Sequence, residues 1–193
     1  MRRRPPAARV TEFPTRIAGV RLAVIFTGDE GTTDELRALA AALARDGTPS
    51  VAVAPWRDGS TPVGVGGGVD ALVRTYLRTW DRQRLILIGL ARGAGTAPFV
   101  ANRLRGDVRS RIDALVLVDP PPRAAFRGHR GWGSGVRPTD LPVRPELERL
   151  RGVPMLCLSD PRGYCASLDR GLVQVLADGS DARVIRQIVA FLQ

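Results

Sequence analysis

The chain alternates between runs of aliphatic residues and runs in which apolar residues recur every three or four positions. Near-continuous aliphatic runs predict strands buried on both faces, and the three-to-four spacing predicts amphipathic helices. The predicted strands are residues 21–28, 50–55, 84–88, 112–119, 153–160 and 172–176. The predicted helices are residues 33–45, 66–80 and 182–192, with a further helix that ends near residue 104. This alternation predicts a mostly parallel sheet of about six strands with helices on both faces.

The predicted elements form one domain over residues 21–193, a size that can bury a substantial core. Residues 1–20 precede the first predicted strand, and we expect this N-terminal extension to be poorly ordered in part. Residues 120–149 are rich in Pro, Gly and Arg and form a long excursion between two strands. We expect the excursion to lie over the edge where parallel strands end and ligands bind, as a lid or as a loose loop.

The charge of the chain is strongly basic, with a formal net charge of +10, and all of its basic residues are arginine. Such a balance can indicate nucleic acid or an anionic membrane as a partner. Arginine without lysine, amid abundant Ala, Gly and Pro, is also what a GC-rich genome encodes. The arginines are scattered along the sequence, so we disfavour nucleic acid as a partner. No apolar run is long enough to span a bilayer, and prolines stand where a signal peptide would be apolar.

The turn after the strand at 84–88 reads Gly89, Leu90, Ala91, Arg92 and Gly93. In many hydrolases a strand-to-helix turn of the pattern G-x-S-x-G raises a nucleophilic serine above the sheet. Here the glycines are present, and alanine takes the serine position. The same glycines have a simpler explanation, since they permit a tight turn and close packing of helix on strand. The turn lacks the Lys and Ser or Thr of a P-loop and the correctly spaced acidic residue of a dinucleotide site.

A second candidate site is the segment 26–31, Phe-Thr-Gly-Asp-Glu-Gly, which follows the first predicted strand. Hydrolases place oxyanion-binding backbone N–H groups at this position, which makes Gly28 and Asp29 candidates for a ligand site. An ordinary strand-to-helix turn explains the same residues. Arg92 offers a permanent charge and a forked donor group suited to phosphate or carboxylate, or it projects into solvent.

Several motifs occur together and in a fixed order. The sequence contains T-G-D-E-G at 27–31, Y-L-R-T-W at 76–80, G-L-A-R-G-A-G-T-A-P-F-V-A-N-R-L at 89–104 and A-F-R-G-H-R-G-W at 125–132, followed by Cys157 and Cys165. In these motifs the chain resembles the bacterial virulence protein VirJ and the C-terminal domain of AcvB. The resemblance implies an α/β-hydrolase-like three-layer sandwich. It also implies a disulfide between the two cysteines as a candidate, and a periplasmic location.

For the AcvB-like proteins, the resemblance implies hydrolysis of lysyl-phosphatidylglycerol at the periplasmic face of the inner membrane, and VirJ is linked to type IV secretion. This sequence departs from the family at the catalytic positions. Ala91 replaces the nucleophilic serine, and a methyl group cannot attack an ester. The segment 176–184, where the family has its histidine, contains none. Asp160 is the best candidate for the acid of the triad.

His129 is the only histidine of the chain and matches a family element outside the triad, in the excursion. We interpret His129 and Trp132 as residues that line a ligand pocket or lie on the surface, with His129 as general base a less favoured alternative. Ser159 and Ser180 follow predicted strands on the ligand side of the sheet, but neither lies on a strained turn. No residue pattern predicts a cofactor or a metal site.

The sequence therefore predicts a catalytically inactive or strongly impaired member of the family. It would bind an anionic ligand, such as a lipid head group, or an envelope or secretion partner at the former active site. The alternative is an active hydrolase of lysyl-phosphatidylglycerol or a related ester, through a non-standard nucleophile. A third hypothesis is a small-molecule binder on a flavodoxin-like sheet. The resemblance favours the periplasm, and the cytoplasm is the alternative because no signal peptide is recognisable; the sequence does not predict an oligomeric state.

Overall fold

A computed structural model of the protein describes residues 10–54, 61–126, 140–177 and 181–193. Its strands are β1 (Val10–Phe13), β2 (Arg21–Phe26), β3 (Ser50–Val53), β4 (Arg84–Leu90), β5 (Ile112–Val118), β6 (Arg123–Ala124), β7 (Leu141–Pro142), β8 (Met155–Ser159) and β9 (Gln174–Ala177). Its helices are α1 (Asp34–Arg45), α2 (Pro62–Thr79), α3 (Arg92–Arg103), α4 (Gly106–Arg109), α5 (Arg144–Glu148) and α6 (Asp181–Leu192). A 3₁₀ turn spans Tyr164–Ser167.

The main sheet has seven strands in the order β1-β3-β2-β4-β5-β8-β9. All neighbouring strands are parallel except β1, which pairs antiparallel with β3 at one edge. The six predicted strands are all present. Strand β1 was not predicted, because it lies within residues 1–20, the segment that the sequence analysis assigns to an N-terminal extension. Its short sequence, Val-Thr-Glu-Phe, contains two exposed polar residues and lacks the aliphatic run that marks the other strands.

Apolar side chains cover both faces of the sheet, as the near-continuous aliphatic strands require. One cluster packs α2 and α3 against the sheet, and a second packs α1 and α6 against the opposite face. Thr33 caps α1, with its side-chain oxygen accepting a hydrogen bond from the N–H of Leu36 at 3.3 Å. Among the described residues, no helix combines the length and the apolar character that crossing a bilayer would require.

Helix α2 begins at Pro62, four residues before the predicted start. The prediction began the helix at Gly66, but Thr61 caps the helix and Pro62 occupies its first turn. Gly66 faces α3 so closely that a Cβ there would lie 2.6 Å from the Cβ of Arg103. The glycine that weakens the helix locally therefore permits the close packing of α2 on α3.

The described parts of the excursion 120–149 are attached to α3. Strand β6 pairs antiparallel with β7, and this pairing joins the two ends of the excursion. A Cβ on Gly95 of α3 would lie 2.9 Å from Cγ of Pro121, and the rings of Phe99 and Phe126 pack edge to face at 5.2 Å. Both ends of the excursion are thus fixed to the helix that begins at the glycine turn.

Candidate functional site

The turn between β4 and α3 has the backbone conformation of a nucleophile elbow. Ala91 has φ 49° and ψ −117°, and the helix begins at the next residue. A positive φ is unfavourable for a residue with a Cβ, so the surrounding structure must hold it in place. The side chain of Ala91 is exposed. A methyl group therefore projects into open space at the point where an active hydrolase presents its hydroxyl.

The two glycines that flank Ala91 are required by close packing. A Cβ on Gly89 would lie 2.3 Å from the Cα of Ala94, and a Cβ on Gly93 would lie 2.1 Å from the carbonyl oxygen of Phe26. Both separations are far inside van der Waals contact. The first turn of α3 therefore lies directly against the end of β2, which holds the elbow in its sharp bend.

The loop after β2 lies beside the elbow. A Cβ on Gly28 would lie 3.6 Å from the Cβ of Ala91, which is ordinary contact distance. The guanidinium Nη1 of Arg92 donates to Oδ1 of Asp29 at 2.5 Å, with the Arg92 side chain 29% exposed and that of Asp29 65% exposed. Arg92 thus neither projects freely into solvent nor presents an uncompensated charge, because its charge is paired across the mouth of the site.

Strand register places further polar residues beside Ala91. The N–H of Ala91 donates to the carbonyl of Val118, and the N–H of Asp119 donates to the carbonyl of Leu158, each at 2.8 Å. Ala91, Asp119 and Ser159 are therefore neighbours along the carboxyl edge of the sheet. Asp119 is exposed and also has a positive φ, 48°. Sequence reasoning did not identify Asp119 as a site residue, although an acidic residue at the end of a buried strand was visible.

Ser159 is the last residue of β8, and Asp160 follows it on the same edge. The backbone N–H of Arg162 donates to Oδ1 of Asp160 at 2.6 Å, and the carboxyl group is exposed. Ser159 is only 3% exposed and its hydroxyl donates to the carbonyl of Asp160 at 3.0 Å. Gly163 packs against that hydroxyl, since a Cβ on Gly163 would lie 2.6 Å from it. Ser159 is therefore a buried loop hydroxyl and not a nucleophile directed at a substrate.

Cys157 and Cys165 form a disulfide, with their Cα atoms 5.7 Å apart. Both residues are fully buried. The bond joins β8 to the 3₁₀ turn Tyr164–Ser167 and closes the loop that carries Asp160. It therefore fixes the position of the third strand end at the site.

Three residues considered from the sequence, His129, Trp132 and Ser180, lie outside the described residues. Within the described ranges, no group of three or more His, Cys, Asp or Glu side chains is placed to hold a metal ion. The described site therefore contains backbone N–H groups at the start of α3, the loop at Gly28, one paired arginine and the carboxyl groups of Asp119 and Asp160. An arrangement of this kind can bind a polar group, and the elbow supplies no atom that attacks it.

The sheet order, the elbow and the loops around it define a protein of the α/β-hydrolase class. Solved structures agree: Est1E from Butyrivibrio proteoclasticus is 13% identical with a TM-score of 0.66, over 96% of this chain and 92% of that chain. MenH from S. aureus is 11% identical with a TM-score of 0.67, over 95% of this chain and 97% of that chain. At these identities the likeness establishes the fold alone, and the predicted fold class is confirmed.

Within this class, residues 20–172 match the family described as bacterial virulence protein (VirJ), and the chain belongs to that family. The resemblance inferred from the sequence motifs is therefore confirmed. No curated protein matches the chain. Family membership adds no catalytic atom to the position that Ala91 occupies.

Proposed function

We propose that this protein is a non-hydrolytic member of the VirJ family that binds a ligand at its elbow. One observation carries the proposal: Ala91 retains the strained, exposed elbow conformation but has no nucleophilic atom. The helix N-terminus and the packed glycines around it still form a surface that favours an oxygen with negative charge. Binding without cleavage is what such a site can perform.

The charges around Ala91 define the ligand that fits. A phosphate, carboxylate or ester carbonyl oxygen would face the backbone N–H groups at the start of α3, near Arg92. Asp29 already pairs with Arg92, and the carboxyl groups of Asp119 and Asp160 lie on the same edge. These carboxylates favour a ligand that carries a positive group beside its acidic or ester group. Aminoacyl esters of anionic lipids, the substrates that the family resemblance implies, have this combination.

Turnover and binding assays test the proposal together. The purified protein would be incubated with p-nitrophenyl acetate and with lysyl-phosphatidylglycerol in vesicles. We expect ester hydrolysis indistinguishable from that in buffer, because no hydroxyl lies at the elbow. The change Ala91→Ser adds the hydroxyl but no histidine, so we expect at most a trace of activity from this variant.

The second part of the test measures ligand binding. Lysyl-glycerophosphoglycerol, a soluble head-group analogue, is expected to bind by calorimetry, and Ala91→Trp is expected to abolish binding by filling the exposed elbow. Hydrolysis well above buffer that disappears in Ser159→Ala, Ser180→Ala or His129→Ala would overturn the proposal. That result would establish the alternative, an active hydrolase with a non-standard nucleophile.

We also propose that the protein matures in an oxidising compartment, such as the periplasm. The support is the buried disulfide between Cys157 and Cys165, a bond that forms and persists in oxidising surroundings. Mass spectrometry of protein isolated from its native host, alkylated without reduction, tests this. A mass without added alkyl groups supports the proposal, and two alkylated thiols would contradict it.

A further inference from the structure

The fold brings arginines that are scattered in the sequence to one edge of the molecule. In a parallel sheet the strands begin, and the connecting helices end, at the edge opposite the ligand site. We call this the amino-edge surface. Its arginines come from strand starts, helix ends and the loops between them, and they include Arg105, Arg109, Arg111, Arg149, Arg151 and Arg170.

Several of these arginines lie outside any close ion pair with a carboxylate of the described residues. Arg105, Arg109, Arg111 and Arg151 are all exposed, and none forms an ion pair with a carboxylate of the described residues. The carboxylates nearest to them are already occupied. Asp107 accepts two hydrogen bonds from Arg74, each at 2.6 Å, and buried Glu146 is bound by Arg103 and Arg149.

Arg105 and Arg109 lie close to each other. They are one helical turn apart, with the N–H of Arg109 donating to the carbonyl of Arg105 at 2.8 Å. The guanidinium of Arg109 donates to the carbonyl of Arg149 at 3.1 Å, which links α4 to the end of α5. Arg111 and Arg151 lie in the segments that lead into the neighbouring strands β5 and β8. All of these arginines therefore lie on the amino-edge surface.

Exposed aliphatic side chains lie on the same surface. Ile17 is 50% exposed and Val20 is 55% exposed, in the segment that crosses the amino edge between β1 and β2. Arg82 donates to the carbonyl of Ile17 at 3.3 Å, and the N–H of Arg84 donates to the carbonyl of Val20 at 2.9 Å. Apolar side chains flanked by arginines are typical of surfaces that enter the interface of a bilayer.

We propose that the amino-edge surface docks on an anionic lipid bilayer. The arginines would contact lipid phosphates, and Ile17 and Val20 would enter the boundary between head groups and acyl chains. A nucleic acid would satisfy the arginines but offers no apolar phase for the two aliphatic side chains, so the bilayer fits the surface better. Asp46, Asp81 and Asp107 are also exposed at this edge, but the arginines outnumber them. The inference is independent of the ligand at the elbow, which faces the opposite way.

Vesicle sedimentation of the full chain tests the proposal. We expect binding to vesicles of phosphatidylcholine mixed with phosphatidylglycerol, weakening as salt rises, and little binding to phosphatidylcholine alone. The double change Arg105→Gln and Arg109→Gln is expected to lower the partition coefficient about 30-fold, since each arginine near such a surface contributes about a fivefold effect. Arg111→Gln with Arg151→Gln is expected to act in the same direction, should the first pair affect folding.

The matched control is Arg162→Gln with Arg183→Gln. These arginines are exposed and outside any ion pair in the described residues, but they follow β8 and β9 at the opposite edge, so the control should bind as the unchanged protein does. Ile17→Ser with Val20→Ser should weaken vesicle binding and leave any binding to duplex DNA unaltered. Equal vesicle binding by both arginine double variants would overturn the proposal. Tighter binding to duplex DNA than to anionic vesicles would also overturn it, in favour of a nucleic-acid surface.

Discussion

Ala91 has a strained backbone conformation. In an enzyme this conformation serves catalysis, but here it supports no reaction. Its φ of 49° and ψ of −117° are held by the packing of Gly89 and Gly93 against α3 and β2. In an active hydrolase that conformation places a hydroxyl at the substrate. Here it exposes a methyl group, so the bend is maintained by packing alone.

The strain at Ala91 predicts that glycine would be more stable there. We expect Ala91→Gly to raise the free energy of unfolding by about 1 kcal/mol, because relief of the positive φ exceeds the entropic cost of glycine. Urea unfolding followed by circular dichroism would measure it. The control is Ala41→Gly on the exposed face of α1, which should lower stability by about 1 kcal/mol. Equal destabilisation by both changes would show that Ala91 is not strained.

The glycines that flank the elbow predict a contrast with glycines elsewhere. Gly93→Ala would place a Cβ 2.1 Å from the carbonyl oxygen of Phe26, so we expect a loss of at least ~2 kcal/mol of stability. Gly67→Ala is the matched control, because a Cβ there meets nothing within 4 Å and lies in helix α2. It should stabilise the protein by about 1 kcal/mol. A tolerated Gly93→Ala in thermal unfolding would contradict the packing account of the elbow.

At the scale of elements, one buried carboxylate holds the excursion to α3. Glu146 is 4% exposed and accepts hydrogen bonds from Asn102 at 2.7 Å and Arg149 at 2.8 Å, with Arg103 at 3.1 Å. The same Asn102 also donates to the backbone carbonyl of Glu146 at 2.8 Å. Helix α5 is too short to be stable alone, so this network and the pairing of β6 with β7 determine where the excursion begins and ends.

Loss of the Glu146 carboxylate should therefore lower the free energy of unfolding far more than loss of a nearby exposed carboxylate. Glu146→Gln removes the charge that faces Arg103 and Arg149, and we expect the free energy of unfolding to fall by about 3 kcal/mol. Glu148→Gln, which breaks only an exposed pair with Arg144, should change it by less than about 0.5 kcal/mol. Urea unfolding of the two variants would give both values. Similar effects from the two changes would show that the buried network does not anchor the excursion.

Tyr76 links α2 to the edge strand β1, where its hydroxyl donates to the carboxylate of Glu12. Burial and this hydrogen bond raise the pKa of Tyr76 to about 12 from an ordinary 10.0. The raised pKa stabilises the folded state below pH 10, and that contribution is lost as the pH rises from 10 to 12. The unfolding free energy should therefore decline over this interval.

Absorbance at alkaline pH tests the prediction for Tyr76. Burial also raises the pKa of Tyr164, so the change Tyr164→Phe leaves a single reporting phenol. In that background, phenolate should form near pH 12. Glu12→Gln should move the transition downward but leave it above 10, because burial is the larger cause. A transition at the ordinary value with Glu12 intact would contradict the proposed link between α2 and β1.

At the scale of the whole molecule, the sheet could be predicted because its strands are aliphatic almost throughout. Edge strand β1 could not, since two of its residues are exposed and polar, and its position depends on pairing with β3. The glycine turn was visible as a pattern, but no residue in it reveals that Ala91 keeps a positive φ. Asp119 became a site residue only through the register of β5 between β4 and β8.

The distribution of the arginines over the surface is the clearest example of a property that only the folded chain shows. Arg105 and Arg151 are distant along the chain, and the scatter of arginines argued against a basic surface. Parallel strands place their starts at a common edge, where the carbonyl ends of helices α1, α2 and α3 also favour positive charge. The arrangement of the strands in the sheet therefore determines where this surface forms, and no short stretch of sequence could show it.

This uneven distribution of charged side chains gives the molecule an electric dipole. Among the described residues, Asp29, Asp119 and Asp160 lie at one pole, and most arginines outside ion pairs lie at the other. Near any negatively charged boundary, the protein should rotate during its approach, so that first contact is made with the arginine pole. The elbow at the far pole would then face away from that boundary, so a lipid head group would reach it only from a facing membrane or as a soluble, released molecule.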